Sequence, residues 1–248
     1  MEDVGVVQMV FCAVVVTSAF AVRSTTGFGS AVLAVPLTAL VFPLHTVIPV
    51  VANLQLMTTI HYGTRNWRSV AWKELLRIAP FMIGGVLAGL YLFSKLDGRI
   101  IAKGLGVFVI AYAIFAMLTA GHEPGAPRRM PWPVSATLNT IGALIGALFG
   151  GAASPFYAIY LNALRLSRDA FRATMTMILL VQVALRVAGY VGLGLVDTYA
   201  LLFTLIAFPF MMLGARLGDV IADRITALTF NRAVGVVLLV SGTALLLK

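Results

Sequence analysis

Two stretches decide how this chain is read: Pro80-Phe81-Met82-Ile83-Gly84-Gly85-Val86-Leu87-Ala88-Gly89 and Pro209-Phe210-Met211-Met212-Leu213-Gly214-Ala215-Arg216-Leu217-Gly218. One shift of 129 residues (80 to 209) carries Pro80 onto Pro209, Gly85 onto Gly214 and Gly89 onto Gly218. The same shift puts Lys95 on Arg224, Lys103 on Arg232 and Gly106 on Gly235. Self-similarity at a fixed spacing marks a duplicated architecture, so the chain reads as one unit written twice.

Each copy is made for lipid. Sixty per cent of the residues are hydrophobic and 11% are charged, which excludes an ordinary soluble domain. A net charge of +9 suggests nucleic acid, but the basic residues sit at the ends of apolar segments, where they act as topology signals. The single cysteine, Cys12, excludes an intrachain disulfide and a thiolate metal cluster. The first residues, Met1-Glu2-Asp3, lack the positive start of a signal peptide, so the first apolar stretch is read as retained.

Ten apolar segments follow: 4–22, 27–43, 46–62, 77–94 and 100–119 in the first half, and 133–149, 151–164, 170–190, 198–219 and 228–247 in the second. The implied fold is an all-α polytopic membrane protein with a first repeat at 1–120, a cytoplasmic linker at 121–132 and a second repeat at 133–248. Arg65, Arg68, Lys73, Arg77, Arg128, Arg129, Arg165, Arg168, Arg172, Arg216, Arg224 and Arg232 gather on one side. Lys95, Arg99, Lys103 and Lys248 are left for the other, a positive-inside bias that makes the first side cytoplasmic. Trp67, Trp72 and Trp132 fall on that same side, where indoles anchor at headgroup depth. Arg23 joins them if segment 4–22 spans fully. Five segments per half is an odd number, so the second half is expected upside down, with both termini outside.

Spanning about 30 Å of hydrocarbon takes about 20 residues, and segments 27–43 and 151–164 fall short. Each holds a proline (Pro36, Pro155), and the two occupy corresponding places. Each also follows a break of small residues: Ser24-Thr25-Thr26-Gly27-Phe28-Gly29-Ser30 in one half, and Gly150-Gly151-Ala152-Ala153-Ser154 in the other. Whether these segments span or form re-entrant hairpins is left open by the charges. Interrupted segments at matched positions point to a transporter's binding site. A helix beginning at such a break offers unpaired amides and hydroxyls to an anion, while small residues alone would also serve close helix packing.

Polar side chains recur at depth in segments 46–62 and 170–190: Asn53 and Gln55 in the first, Gln182 and Arg186 in the second. The 129-residue shift pairs Asn53 with Gln182. A charge at membrane depth needs a cavity, a partner or a reach to the interface, and no carboxylate lies centrally in any span. Arg186 is therefore expected to face water or an anion, with snorkelling as the competing reading. His61, near a segment end, is a proton relay or a structural group; His45 and His122 are too scattered to make a metal site. Asp219 and Asp223 are expected to pair with Arg216 or Arg224. No nucleophile–base cluster suggests an enzyme and no Gly-Lys-Ser/Thr suggests ATP hydrolysis, so no cofactor is expected.

Gly27-Phe28-Gly29-Ser30-x5-Pro36, Gly150-Gly151-x2-Ser154-Pro155, Leu166-Ser167-x2-Ala170-x2-Ala173-Thr174 and the duplicated Pro-Phe-Met-x2-Gly-x3-Gly cassette resemble the TauE/SafE sulfite exporter family. The resemblance covers nearly the whole chain. It implies an inner-membrane secondary carrier of sulfur-containing anions such as sulfite or organosulfonates. Ala152-Ala153-Ser154 departs from the more glycine-rich second break usual there. Anion channel and sulfonate uptake permease are the alternatives. The residues expected to line the substrate's site are Ser24, Thr25, Thr26, Gly27, Gly29, Ser30, Asn53, Gln55, Gly150, Gly151, Ser154, Gln182 and Arg186.

Overall fold

A computed structural model describes residues 5–26, 29–63, 67–119, 130–151, 153–221 and 227–247, with the side-chain surroundings of 26, 61–63, 119, 168, 221 and 227–233 excepted. Thr26's side chain, Gly27, His61's side chain, His122, Asp223 and Arg224 thus lie outside it. Among the described residues the chain forms ten α-helices and one short 3-10 turn, with no strand. They are α1 (Val6–Thr26), α2 (Ser30–Thr38), α3 (Leu44–Gly63), α4 (Trp72–Lys95), α5 (Gly98–Thr119), α6 (Trp132–Leu148), α7 (Ser154–Ala163), α8 (Arg168–Gly192), α9 (Thr198–Ile221) and α10 (Ala227–Leu247).

All ten expected segments are present, with shifted ends. Among the described residues of segment 63–77, read as a loop, there is a turn at Trp67–Ser69 and α4 begins at Trp72, so Lys73 and Arg77 ride on the first turns of a helix. Among the described residues, five helices are long and apolar enough to cross a membrane: Val6–Thr25, Trp72–Lys95, Gly98–Leu118, Asp169–Gly192 and Thr198–Val220. The two short segments are half-helices. At 1.5 Å per residue, the 9 residues of α2 and the 10 of α7 rise about 13 and 15 Å, half the hydrocarbon thickness.

Packing explains the glycine cassette. A Cβ on Gly85 would lie 2.7 Å from the Ala143 Cβ, and one on Gly89 would lie 2.6 Å from the Leu144 carbonyl oxygen, so α4 presses backbone to backbone on α6. Gly214 and Gly218 do the same for α9 on α1, where added methyls would meet the Thr17 and Ala21 carbonyls. Small residues allow that approach, and helices in lipid associate through such contact. Later glycines meet later residues in both cases, so α4 runs parallel to α6 and α9 runs parallel to α1. In contrast, Gly106 meets Gly242 while Gly235 meets Met117, so α5 and α10 cross antiparallel. Further packing of α3 and α8 on each other, of α2 on α1, α3 and α10, and of α7 on α6 and α8 sets the two half-helices among the longer ones.

Apolar side chains face outward from these helices, as lipid requires: Leu87, Tyr91, Leu118, Leu205 and Val220 are among the most exposed. Trp67, Trp72 and Trp132 are exposed, and the Arg77 guanidinium lies 4.7 Å from the centre of the Trp132 ring.

Candidate functional site

The two interrupted regions meet. Gly29 (φ 97°) precedes α2, while Gly150 (φ 76°) and Gly151 (φ 117°) precede α7, all in the left-handed region that a side chain disfavours. At Gly151 the backbone comes so close to α2 and α3 that a Cβ would lie 2.8 Å from Gln55 Oε1 and 2.9 Å from the Ala31 Cβ. The turn after α6 therefore rests directly on the half-helix of the other half.

Around this junction is a cavity of about 10 Å3, room for about one water molecule. Arg23, Gln55, Thr59, Gly151, Ser154, Leu179, Gln182, Val183 and Arg186 line it, and no carboxylate is in that lining. Arg186 is only 1% exposed. Its Nη1 donates to the Gly146 carbonyl and its Nη2 to Gln55 Oε1, each at 2.9 Å. Gln55 Nε2 donates in turn to Ser30 Oγ at 3.2 Å, and Arg23 Nη1 sits 3.5 Å from the same oxygen. Arg23 Nη2 also donates to Thr59 Oγ1. One polar chain thus joins α8, α3, α2 and α1.

Two donors on this wall are left over. Arg186 Nε and Gln182 Nε2 are buried with no hydrogen-bond partner among the described residues. Buried polar groups are nearly always satisfied, so these two donors are available to acceptor atoms of whatever occupies the cavity. A guanidinium and an amide suit an oxyanion: the first supplies charge, and both present N–H groups to oxygen lone pairs. Arg186 does not snorkel; it points into the protein. Among the described residues no group of three or more His, Cys, Asp or Glu is placed to hold a metal ion.

The expected residues divide three ways. Gln55, Gly151, Ser154, Gln182 and Arg186 line the cavity, while Ser30, Gly29 and Gly150 shape its polar chain and its two turns. Ser24, Thr25 and Asn53 go elsewhere. Ser24 donates to the Asp219 carboxylate, and Thr25 Oγ1 donates to the Val22 carbonyl at 2.7 Å. Asn53 Nδ2 sits 3.5 Å from Thr204 Oγ1 on α9. Gln55 lies against Gly151, in the break of the other half, while Gln182 lies against Gly146 within α6 and lines the same cavity.

Sequence reading missed Arg23 and Thr59. Arg23 was expected on the cytoplasmic side if segment 4–22 spans fully; it is 6% exposed in the last turn of α1, where the helix dipole favours a cation. The signal was present in the sequence, since Arg23 directly precedes the Ser24-to-Ser30 break.

The chain matches the family described as Sulfite exporter TauE/SafE over residues 10–245. It is also 29% identical over 194 residues, 77% of this chain and 79% of the relative, to the Comamonas testosteroni protein named Probable inner membrane transporter protein TsaS. No solved structure matches. With the family match running almost end to end, this chain belongs to the sulfite exporter TauE/SafE family of membrane transporters.

Proposed function

We propose that this protein exports small sulfur-containing anions, sulfite or related organosulfonates, across the inner membrane by alternating access around the central cavity. The observation that carries the reading is Arg186, held within the bundle with its Nε and the Gln182 amide facing a cavity and unpaired. A charged arginine at membrane depth costs about 2.5–3.5 kcal/mol on insertion scales, and an anion arriving beside it offsets that cost. Gln55, Ser30, Ser154 and the turns at Gly29 and Gly150-Gly151 complete the cradle, and Arg23 adds a second positive group.

The halves at 1–120 and 133–248, joined by the linker at 121–132, act as inverted repeats in this reading. Supporting it, α4 runs parallel to α6 and α9 to α1 through equivalent glycines, while the self-paired α5 and α10 cross antiparallel. Exchanging the halves preserves those pairings, as a pseudo-two-fold axis in the membrane plane demands. Both termini then lie outside the cytoplasm. Export is the easier direction, since each negative charge leaving an inside-negative cell gains about 2.3 kcal/mol per 100 mV.

The size of the cavity favours a carrier over an anion channel, because space for one water molecule is not a continuous pore. Proteoliposome counterflow tests this. Internal unlabelled sulfite should accelerate uptake of labelled sulfite, with saturation. Non-saturating flux that carries current and lacks counterflow would establish a channel instead.

A further inference from the structure

Two cavities lie at the two ends of one short helix. The central cavity takes Ser154, the first residue of α7. A second cavity of about 380 Å3 takes Tyr160, Ala163 and Leu164 from the other end, with Glu74 and Arg77 of α4 and Ser135 of α6. Ser154 and Tyr160 are six residues apart, a rise of about 9 Å, and Ser154, Tyr157, Tyr160 and Leu164 fall within an arc of about 120°. One face of α7 therefore runs from cavity to cavity.

Tyr157 stands between them, fully buried, and its hydroxyl has no hydrogen-bond partner among the described residues. A buried hydroxyl without a partner carries an uncompensated desolvation cost, so its position calls for an acceptor that this closed arrangement lacks. Just beyond it, Tyr160 donates to Glu74 Oε2 at 2.6 Å. Arg77 lies 3.9 Å from that same oxygen and packs on the Trp132 ring. These contacts tie α7, α4 and α6 together at the mouth of the second cavity. The other half-helix has no such face. With Ser30 matched to Ser154 (an offset of 124), Leu33 and Pro36 stand where Tyr157 and Tyr160 do, and the Thr38 hydroxyl is satisfied by the Ala34 carbonyl.

We propose that α7 lines the passage between the central cavity and the second cavity, with Tyr157 as its plug and the Tyr160–Glu74 hydrogen bond as the latch that holds it shut. Breaking the latch lets α7 move from α4 and opens the central cavity to one side of the membrane only. The consequence for transport rests on the central cavity being the substrate's site. The test below uses no substrate, so its failure would leave that assignment standing.

Cysteine labelling reads the latch directly. In a Cys12→Ala background, Val183→Cys reports the central cavity and Ala163→Cys reports the second one, using a membrane-impermeant maleimide on vesicles of either orientation. Tyr160→Phe and Glu74→Ala should each speed labelling at 183 about tenfold, the net worth of one hydrogen bond, from the face where α4 begins. Glu74→Gln, whose amide oxygen still accepts from Tyr160, should keep the slow rate, and labelling at 163 should be the same in all variants. The latch is refuted if labelling at 183 ignores both Tyr160→Phe and Glu74→Ala. Equal speeds for Glu74→Gln and Glu74→Ala would refute it too, as would acceleration from the opposite face.

Discussion

Arg186→Met separates the two roles a buried arginine can have. The substitution keeps a long side chain but removes the charge and all five N–H donors. Stability should change little. Relief of burying a charge at membrane depth contributes about 3 kcal/mol. Against it stand two lost hydrogen bonds, to Gly146 O and Gln55 Oε1, at about 1–1.5 kcal/mol each, so the sum lies within about 1 kcal/mol of zero. Anion binding should change greatly. A charge-assisted hydrogen bond from Nε, together with the local positive potential, is worth about 2–4 kcal/mol, which is about 30- to 700-fold in Kd. Thermal unfolding and titration calorimetry with sulfite on the purified protein measure both quantities. A large loss of melting temperature with unchanged affinity would refute the reasoning, because Arg186 would then be a strut.

Other substitutions read the remaining parts. Gly85→Ala and Gly214→Ala, at equivalent contacts, should each destabilise by about 1–3 kcal/mol through overpacking, visible as matched drops in melting temperature. Gly151→Ala combines a left-handed backbone (φ 117°) with a methyl pressed on Gln55, so flux should fall well beyond what its loss of about 1–3 kcal/mol in stability explains. Ser167→Ala removes the hydroxyl that accepts from the Ala170 amide at the start of α8; unfolding should report a loss of about 1 kcal/mol, with transport unaffected.

How much of this was legible in the sequence follows from what repeats and what does not. Hydropathy placed every helix, because a span must satisfy its own backbone and face lipid with apolar side chains. The cassettes at 80–89 and 209–218 told of duplication, and their glycines proved to be the contacts of α4 on α6 and α9 on α1. Charge scarcity singled out Arg186, since an isolated cation in a span demands a reason. Arg23 escaped because its place near a segment end made a surface position equally natural, and it is α2 and α3, through Ser30 and Thr59, that hold it inside. Asn53 misled because polarity at depth does not say which face of a helix carries it; α9, remote in sequence, supplies its neighbour Thr204. The Tyr160–Glu74 pair joins residues 86 positions apart, a contact that no local pattern encodes.

The most direct check is to see the anion itself. Selenite, a heavier analogue of sulfite, gives an anomalous scattering signal that marks its position in crystals of the loaded protein. Its oxygens should lie about 2.7–3.2 Å from Arg186 Nε and Gln182 Nε2, in a central cavity wider than the present one. Selenite bound elsewhere, with those two donors still unpaired, would contradict a substrate site at the meeting point of the half-helices.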